Sequence, residues 1–382
     1  MKKILIITPF FYPHVGGSQQ YMEDVYAFLI KKHPQIQAHV LCYKTAGESS
    51  YDEVHRGIII HRISCLNILP DQFVLPNPFS LLKFLFENRN SYDLIHCSTR
   101  FFDSSWWAPV FAKLTGRKII LTDHCATHPV HENKIVSLIS KIIDQTIVGF
   151  FLHFYDKVYT TNKAAKDFLK KTFGIDSRVI YGGVNTQVFR PIHSTRSARS
   201  GQKEKIKVLF CGRMIESKGV LELFEAAKEL KDIEFIFAGP GPLVSVLQKE
   251  IIKEDFSNIK VLGGKSQKEV AELLNVSDIF VHPSYHHEGF PNSLLEAGAS
   301  RVGVAATDVG GSKEIIVDGK TGILVQPKNI QQLKSAIEKL AGDKLLREKL
   351  GKNLYEHVLK NFNWENSSEE LYEEIKNLIS SN

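Results

Sequence analysis

Lys207-Val208-Leu209-Phe210-Cys211-Gly212-Arg213-Met214-Ile215-Glu216-Ser217-Lys218-Gly219 joins an apolar run to a glycine turn and two cations. The run to Cys211 has no polar alternation, which suits a strand covered on both faces. Leu221–Leu230 then reads as a helix. Strand, glycine turn and helix open a βαβ unit. The pattern continues downstream, with strands expected at Glu234–Ala238, Ile259–Leu262, Ile279–His282, Val302–Ala305 and Gly322–Val325 and a helix at Lys268–Val276. Arg213 stands at a strand C-terminus and Lys218 at a helix N-terminus. Two cations so placed can converge on a pyrophosphate, one as a rigid fork and one as a point charge.

Upstream lies a polar stretch, residues 191–205, rich in Ser, Arg and Lys, which reads as an exposed linker. Before it the alternation is already present. Strands are expected at Lys3–Thr8, Ala38–Tyr43, Ile58–Ile63, Leu94–Cys97, Lys118–Thr122 and Lys157–Thr161, with a helix at Gly17–Lys31. The predicted fold class is therefore α/β, with two doubly wound Rossmann-like domains over residues 1–190 and 206–364. Ligands bind at the C-terminal strand ends of such sheets, and two of them can face each other across a cleft.

The second informative stretch is Glu288-Gly289-Phe290-Pro291-Asn292-Ser293-Leu294-Leu295-Glu296. It sets one carboxylate in a glycine-containing loop and another about two turns into the helix that should follow, with Pro291 suited to a first helical position. A loop entering a helix offers free amides to an anion. Carboxylates beside it can accept from sugar hydroxyls. Phosphate on the amides and hydroxyls on the acids together suggest a sugar nucleotide.

This segment resembles the E-x7-E motif of retaining glycosyltransferases of the GT-B fold, family 4, also called glycosyltransferase group 1. The Gly212-Arg213 and Lys218-Gly219 pairs are similar to that family's diphosphate-binding motif. The resemblance implies that Arg213 and Lys218 hold the donor diphosphate and that Glu296 holds the ribose. It implies that Glu288 meets the donor sugar, and that the amides of Gly289, Phe290 and Asn292 lie near the phosphates. Pro291, with no N–H, cannot join them. Gly263, in Gly263-Gly264-Lys265-Ser266, would lie in the turn that faces the nucleobase. Val309-Gly310-Gly311-Ser312-Lys313-Glu314-Ile315 and Tyr181-Gly182-Gly183-Val184-Asn185 resemble further family segments of scaffolding character. Phe362-Asn363-Trp364-Glu365 resembles the family's closing element, whose helix, here 365–382, packs back on the N-terminal domain.

Two N-terminal positions carry over in the same way. Gly16-Gly17, after the first strand, would border the donor phosphates, their freedom of φ allowing close backbone approach. His124, after the strand ending near Leu121, would contact the donor sugar, where a histidine can donate a hydrogen bond or act as acid or base. His124, His128 and His131 could instead hold a metal, but Pro129 disfavours the helix that would align them and no cysteine completes the set. Nor does the chain contain the Asp-x-Asp motif by which the other main glycosyltransferase fold holds a divalent ion. No metal and no cofactor are expected, the nucleotide-sugar being a co-substrate.

The bulk numbers fit. The chain has 382 residues, 43% hydrophobic and 24% charged, a globular composition with room for two domains. No apolar run without charges reaches the ~20 residues of a membrane span; the nearest, Ile135–Tyr155, contains Lys141 and Asp144. Five scattered cysteines fit reduced thiols in a cytoplasmic protein. Residues 1–190 hold 22 basic against 15 acidic side chains, a net +7, whereas the remainder is near neutral. That asymmetry suits an anionic membrane surface or a lipid-linked phosphate at the first domain, or simply scattered lysines. The aromatic and apolar segments 101–107 and 133–155 either touch that surface or pack internally. Nucleic acid is not an expected partner, since the charge is modest and no recognition motif is present.

The expectation is a retaining transferase moving a sugar from a nucleoside-diphosphate donor to a hydroxyl of a glycan or lipid-linked acceptor. A sugar-nucleotide epimerase, a phosphorylase or an inactive sugar-nucleotide-binding subunit of the same fold remain the alternatives.

Overall fold

The structure is a computed structural model that describes every residue except 15, 46–51, 70–72, 130–132, 193–204, 286–288 and 381–382. The chain divides into two compact units, Met1–Gly182 with Trp364–Asn382, and Gly183–Asn363.

The strands of the first unit are β1 (Lys2–Ile7), β2 (Ile36–Lys44), β3 (Asp52–His55), β4 (Ile58–Leu69), β5 (Phe73–Pro76), β6 (Leu94–Ser98), β7 (Lys118–Asp123), β8 (Lys157–Thr160) and β9 (Arg178–Val179). They pair in the order β3-β4-β2-β1-β6-β7-β8-β9, with β5 added on β4. Among the described residues only β3–β4 and β4–β5 are antiparallel. The sequence misses β3 because Asp52-Glu53-Val54-His55 has no apolar run and no buried residue. β1 shows why the continuous apolar runs mark parallel strands. Ile4 and Ile6 enter one core with Val25 and Leu29, while Leu5 and Ile7 enter another with Leu121 and Leu169, because successive side chains point to opposite faces. The helix Trp364–Ser380 buries Trp364, Leu371 and Ile375 in the first of these cores. Segment 101–107 packs internally: Phe102, Trp106 and Trp107 lie against the second core, and Asp103 Oδ2 accepts from Tyr43 Oη at 2.5 Å and Trp107 Nε1 at 3.0 Å.

The second unit holds β10 (Lys207–Cys211), β11 (Glu234–Ala238), β12 (Ile259–Val261), β13 (Ile279–His282), β14 (Gly303–Thr307) and β15 (Ile323–Val325). They pair in the order β12-β11-β10-β13-β14-β15, all parallel. The order reverses between β10 and β13, as it does between β1 and β6 in the first unit. A crevice opens at such a reversal, beyond the strand C-termini.

The division between the units falls earlier than the boundary at 190/206 read from the sequence. Val184 N–H donates to Phe362 O at 3.2 Å and Ile192 N–H to Asn275 Oδ1 at 2.8 Å, which bind residues 183–192 to the second unit. Most of the expected linker, residues 193–204, lies outside the described residues.

Candidate active site

Arg213 follows β10 directly, at the reversal point of the second sheet. Its loop is held by the neighbouring loop 239–242: Gly212 N–H donates to Ala238 O at 3.0 Å and Met214 N–H to Pro240 O at 2.7 Å. No motif in the sequence pointed to this second loop. Gly239 has φ +140, and a Cβ there would sit 1.8 Å from Gly212 O. Gly239 N–H in turn donates to Gly263 O at 2.7 Å, so the loops after β10, β11 and β12 lie side by side. Gly239→Ala combines a forbidden backbone with a clash against main chain. Its expected cost is on the order of 3 kcal/mol or more, read as a lower urea midpoint. An unchanged midpoint would show that the loops are not packed this way.

Lys218 lies in a 3₁₀ turn, Glu216–Lys218, ahead of the helix Val220–Glu229. That turn is stitched to the end of β13, where Ser284 Oγ and Tyr285 N–H both donate to Ser217 O at 3.1 Å. Gly219 has φ +69, and its Cβ would meet Pro283 O at 2.0 Å. The turn therefore sits directly on the β13 loop. Arg213 is exposed, and among the described residues it has no carboxylate partner.

Glu296 lies on the helix Asn292–Ala299. Burial pushes its carboxyl up to about 7, and no described cation offsets the effect. The Cys211 thiol is pushed up to about 12 by burial and then by the Glu296 charge, so Glu296 is within electrostatic reach of the end of β10. Among the described residues no donor meets its carboxylate. The linkage has a definite sign. Folding favours the acid form, so this contribution is complete below the ordinary value of 4.5 and is lost as pH rises through about 7. Glu296→Gln should accordingly gain thermal stability over the wild type as pH goes from 5 to 8. Parallel melting curves would contradict that.

Pro291 is the N-cap of this helix, with extended ψ 103, rather than its first helical residue. The helix has no side-chain cap, so its first amides, with Asn292 leading, stay available. Gly289 is covered by the Gly310-Gly311 segment: a Cβ on Gly311 would lie 2.3 Å from Gly289 O. The late glycine pair thus forms a wall of the site. Phe290 sets its ring against Phe362, centroids 5.3 Å apart. Gly263 has φ +70 with open space around its Cβ position. The neighbouring Ser266 and Lys265 are structural: Ser266 caps the next helix in a capping box with Glu269, and Lys265 pairs with Glu269 at 2.9 Å. Glu288, with His286 and His287, lies outside the described residues.

In the first unit Gly16 and Gly17 follow β1, but neither adopts the left-handed backbone that the sequence reading allowed for. Gly16 is the extended N-cap of the helix Gly17–Lys32, and Gly17 begins it. Nothing lies within 4 Å of a Cβ on Gly17, whereas a Cβ on Gly16 would fall 2.3 Å from Gln19 Oε1, so the pair lets the chain pass close to the Gln19 side chain. His124 follows β7. Burial pushes its imidazole down to about 4 against the opposing charge of Asp123. It is therefore neutral near pH 7, a hydrogen-bonding group rather than a cationic acid. Its Nε2 is buried and has no partner among the described residues. The Tyr21 ring stands edge-on to it, centroids 5.1 Å apart.

What holds the His124 loop is a residue that the sequence did not flag. Arg100, fully buried at the end of β6, donates through Nη1 to the Asp123 carboxylate and to Cys125 O at 2.9 Å. It donates through Nη2 to Thr127 O at 2.7 Å and through Nε to Asp144 Oδ1 at 3.2 Å. His128 pairs with the same Asp144 at 2.6 Å, which accounts for one histidine of the metal alternative; His131 lies outside the described residues.

Comparison with known proteins fits this arrangement. Residues 15–188 match the family described as Glycosyltransferase Family 4, and residues 194–357 match Glycosyl transferases group 1, together most of the chain. A solved structure of Anabaena HepE in complex with UDP superposes with a TM-score of 0.78 over 99% of this chain and 100% of that one, at 17% identity. This chain belongs to the GT-B glycosyltransferases. An uncharacterized glycosyltransferase of Methanocaldococcus jannaschii is 28% identical over 99% of this chain and 100% of its own length. The N,N'-diacetylbacillosaminyl-diphospho-undecaprenol alpha-1,3-N-acetylgalactosaminyltransferase of Campylobacter jejuni is 34% identical over 46% of this chain and 48% of its own. In this GT-B glycosyltransferase Arg213 follows β10 at the reversal of the second sheet, and Lys218 lies in the turn packed on the loop after β13.

Proposed function

We propose that this protein is a retaining glycosyltransferase that moves a sugar from a nucleoside-diphosphate donor to a hydroxyl of a glycan or lipid-linked acceptor. The observation that carries the reading is the half-buried, donor-less Glu296 carboxylate within electrostatic reach of the end of β10. A buried acid without a partner costs stability; two ribose hydroxyls would supply the missing donors. Arg213 and Lys218 would neutralise the diphosphate together with the amides of Gly289, Phe290 and Asn292, and no metal is needed for that charge. Gly263 would border the nucleobase, Glu288 the donor sugar, and Gly16-Gly17 the phosphates. Neutral His124 would hydrogen-bond a sugar hydroxyl. The HepE relative solved with UDP, and the Campylobacter relative named for an undecaprenol-diphosphate-linked acceptor, support this donor and acceptor class.

In the step proposed, the anomeric C–O bond to the diphosphate breaks and the cations stabilise the departing charge. The acceptor oxygen bonds to the same face of the carbon and gives its proton to the leaving phosphate oxygen. The test is NMR of the first product formed from a panel of UDP-, GDP-, ADP- and dTDP-sugars, with rapid-quench mass spectrometry alongside. Retained anomeric configuration with no covalent adduct is expected. An inverted product, or a trapped glycosyl-enzyme, would overturn the mechanism. Hydroxyls pair best with the ionised carboxylate, so nucleotide affinity should weaken as pH falls below about 7.

A further inference from the structure

The helix Lys134–Leu152 is, by length and composition, apolar enough to cross a membrane, contrary to the expectation that its charges would exclude it. Its second half is nonetheless part of the first unit: Asp144, Val148, Gly149 and Leu152 are buried there, and Asp144 is held by Arg100 and His128. The first half is different. No residue of Lys134–Ile143 is buried. Ile135, Leu138, Ile139 and Ile142 are 70%, 59%, 51% and 52% exposed. They fall at i, i+3, i+4 and i+7, a single apolar stripe open to solvent. The adjoining stripe holds Lys134, Ser137 and Lys141. It faces the loop Thr127–His128 across a cavity of about 560 Å³. No described acid lines that cavity, and among the described residues neither lysine has a carboxylate partner. So an apolar stripe, two ammonium groups and a hydroxyl share one helix, and Leu138 of the stripe lines the cavity beside Thr127, His128 and Pro129 of the loop.

An exposed stripe of this kind marks an interaction surface. The neighbouring cations specify its sign, and the first 190 residues add a net +7. A phospholipid surface accounts for both features at once, acyl chains for the stripe and anionic headgroups for the lysines and the basic first 190 residues. We propose that Lys134–Ile143 lies in the interface of an anionic phospholipid bilayer, with Ile135, Leu138, Ile139 and Ile142 among the acyl chains and a headgroup phosphate in the cavity between Lys134, Lys141, Ser137 and Thr127. Asp144, buried through Arg100, stops the insertion at the end of the stripe and makes the contact peripheral. The same Arg100 network holds the His124 loop, so the bilayer contact and that loop share one support.

The test is co-sedimentation of the full chain with vesicles of phosphatidylcholine alone and of phosphatidylcholine with about a third phosphatidylglycerol. Each elementary charge near such a surface contributes about fivefold in affinity, and the double reversal removes two favourable charges and adds two unfavourable ones. Wild type should bind the anionic vesicles. Lys134→Glu with Lys141→Glu should weaken binding at least about a hundredfold, and Ile139→Asp should also weaken it. Equal binding to both vesicle types, no binding to either, or a lysine double variant that binds like wild type would overturn the proposal. Titration of the same variants with UDP, GDP, ADP and dTDP reads the donor site separately. Loss of vesicle binding with nucleotide binding kept reports on this surface alone, and a wild type that binds vesicles but none of the four nucleotides fails the donor reading alone.

Discussion

Arg213→Ala should lower kcat/KM by about 10²- to 10³-fold, with the folded state intact. Arg213 is exposed and, among the described residues, pairs with no carboxylate, so its removal breaks no structural interaction. Its charge is free for a ligand, and the loop behind it is fixed by Met214 N–H on Pro240 O. A preorganised cation at developing negative charge contributes about 2.7–4 kcal/mol to transition-state stabilisation. Arg213→Lys should recover only part of the loss, since an ammonium cannot span two phosphate oxygens as a fork does. If the Ala variant loses affinity for donor but keeps kcat, Arg213 binds ground and transition states alike. If neither parameter moves, the diphosphate does not lie at the end of β10.

Arg100→Met should destabilise the first unit by about 3–5 kcal/mol, the cost of leaving buried carboxylates without their partner. Burial works against the Arg100 charge, yet Asp123, Cys125 and Asp144 outweigh it and hold its pKa above the ordinary value. Phe168 and Phe173 add aromatic faces at 4.8 and 5.8 Å. Denaturant unfolding followed by tryptophan fluorescence would measure the loss, because Trp106 and Trp107 pack on the neighbouring core. Asp144→Asn should cost less, since it leaves Asp123 paired. It should also loosen the loop that holds His124 and the start of the 134–152 helix, seen as faster amide exchange across 123–128. An Arg100→Met protein as stable as wild type would show that the network contributes no more than the groups it buries.

The sequence shows what depends on local pattern. Lys207–Cys211, Glu234–Ala238 and Ile279–His282 are strands with the bounds that their apolar runs suggest. The cations and Glu296 were legible because a strand end and a helix start carry recognisable chemistry. The residues that fix these groups were not legible. Gly239 matters because of Gly212, and Arg100 because of Asp144, 44 residues away. Such contacts exist only once the sheets are wound. Gly16 and Gly17 illustrate the reverse: the glycine pair suggested unusual backbone, whereas Gly16 is an extended N-cap packed close to Gln19 and Gly17 begins the helix. The solvent-facing stripe at 135–142 was ambiguous because the same spacing serves a buried helix; only its exposure separates the two.

The most direct test of the donor site is isothermal titration of UDP, GDP, ADP and dTDP into wild type and Glu296→Ala, without added metal. Binding of one nucleotide, weakened about tenfold or more in the variant, is the expected result, because hydrogen bonds to a charged acceptor contribute about 1.5–3 kcal/mol. Binding of equal strength in both proteins, or of no nucleotide to the wild type, would contradict the assignment of Glu296 to a nucleotide ribose.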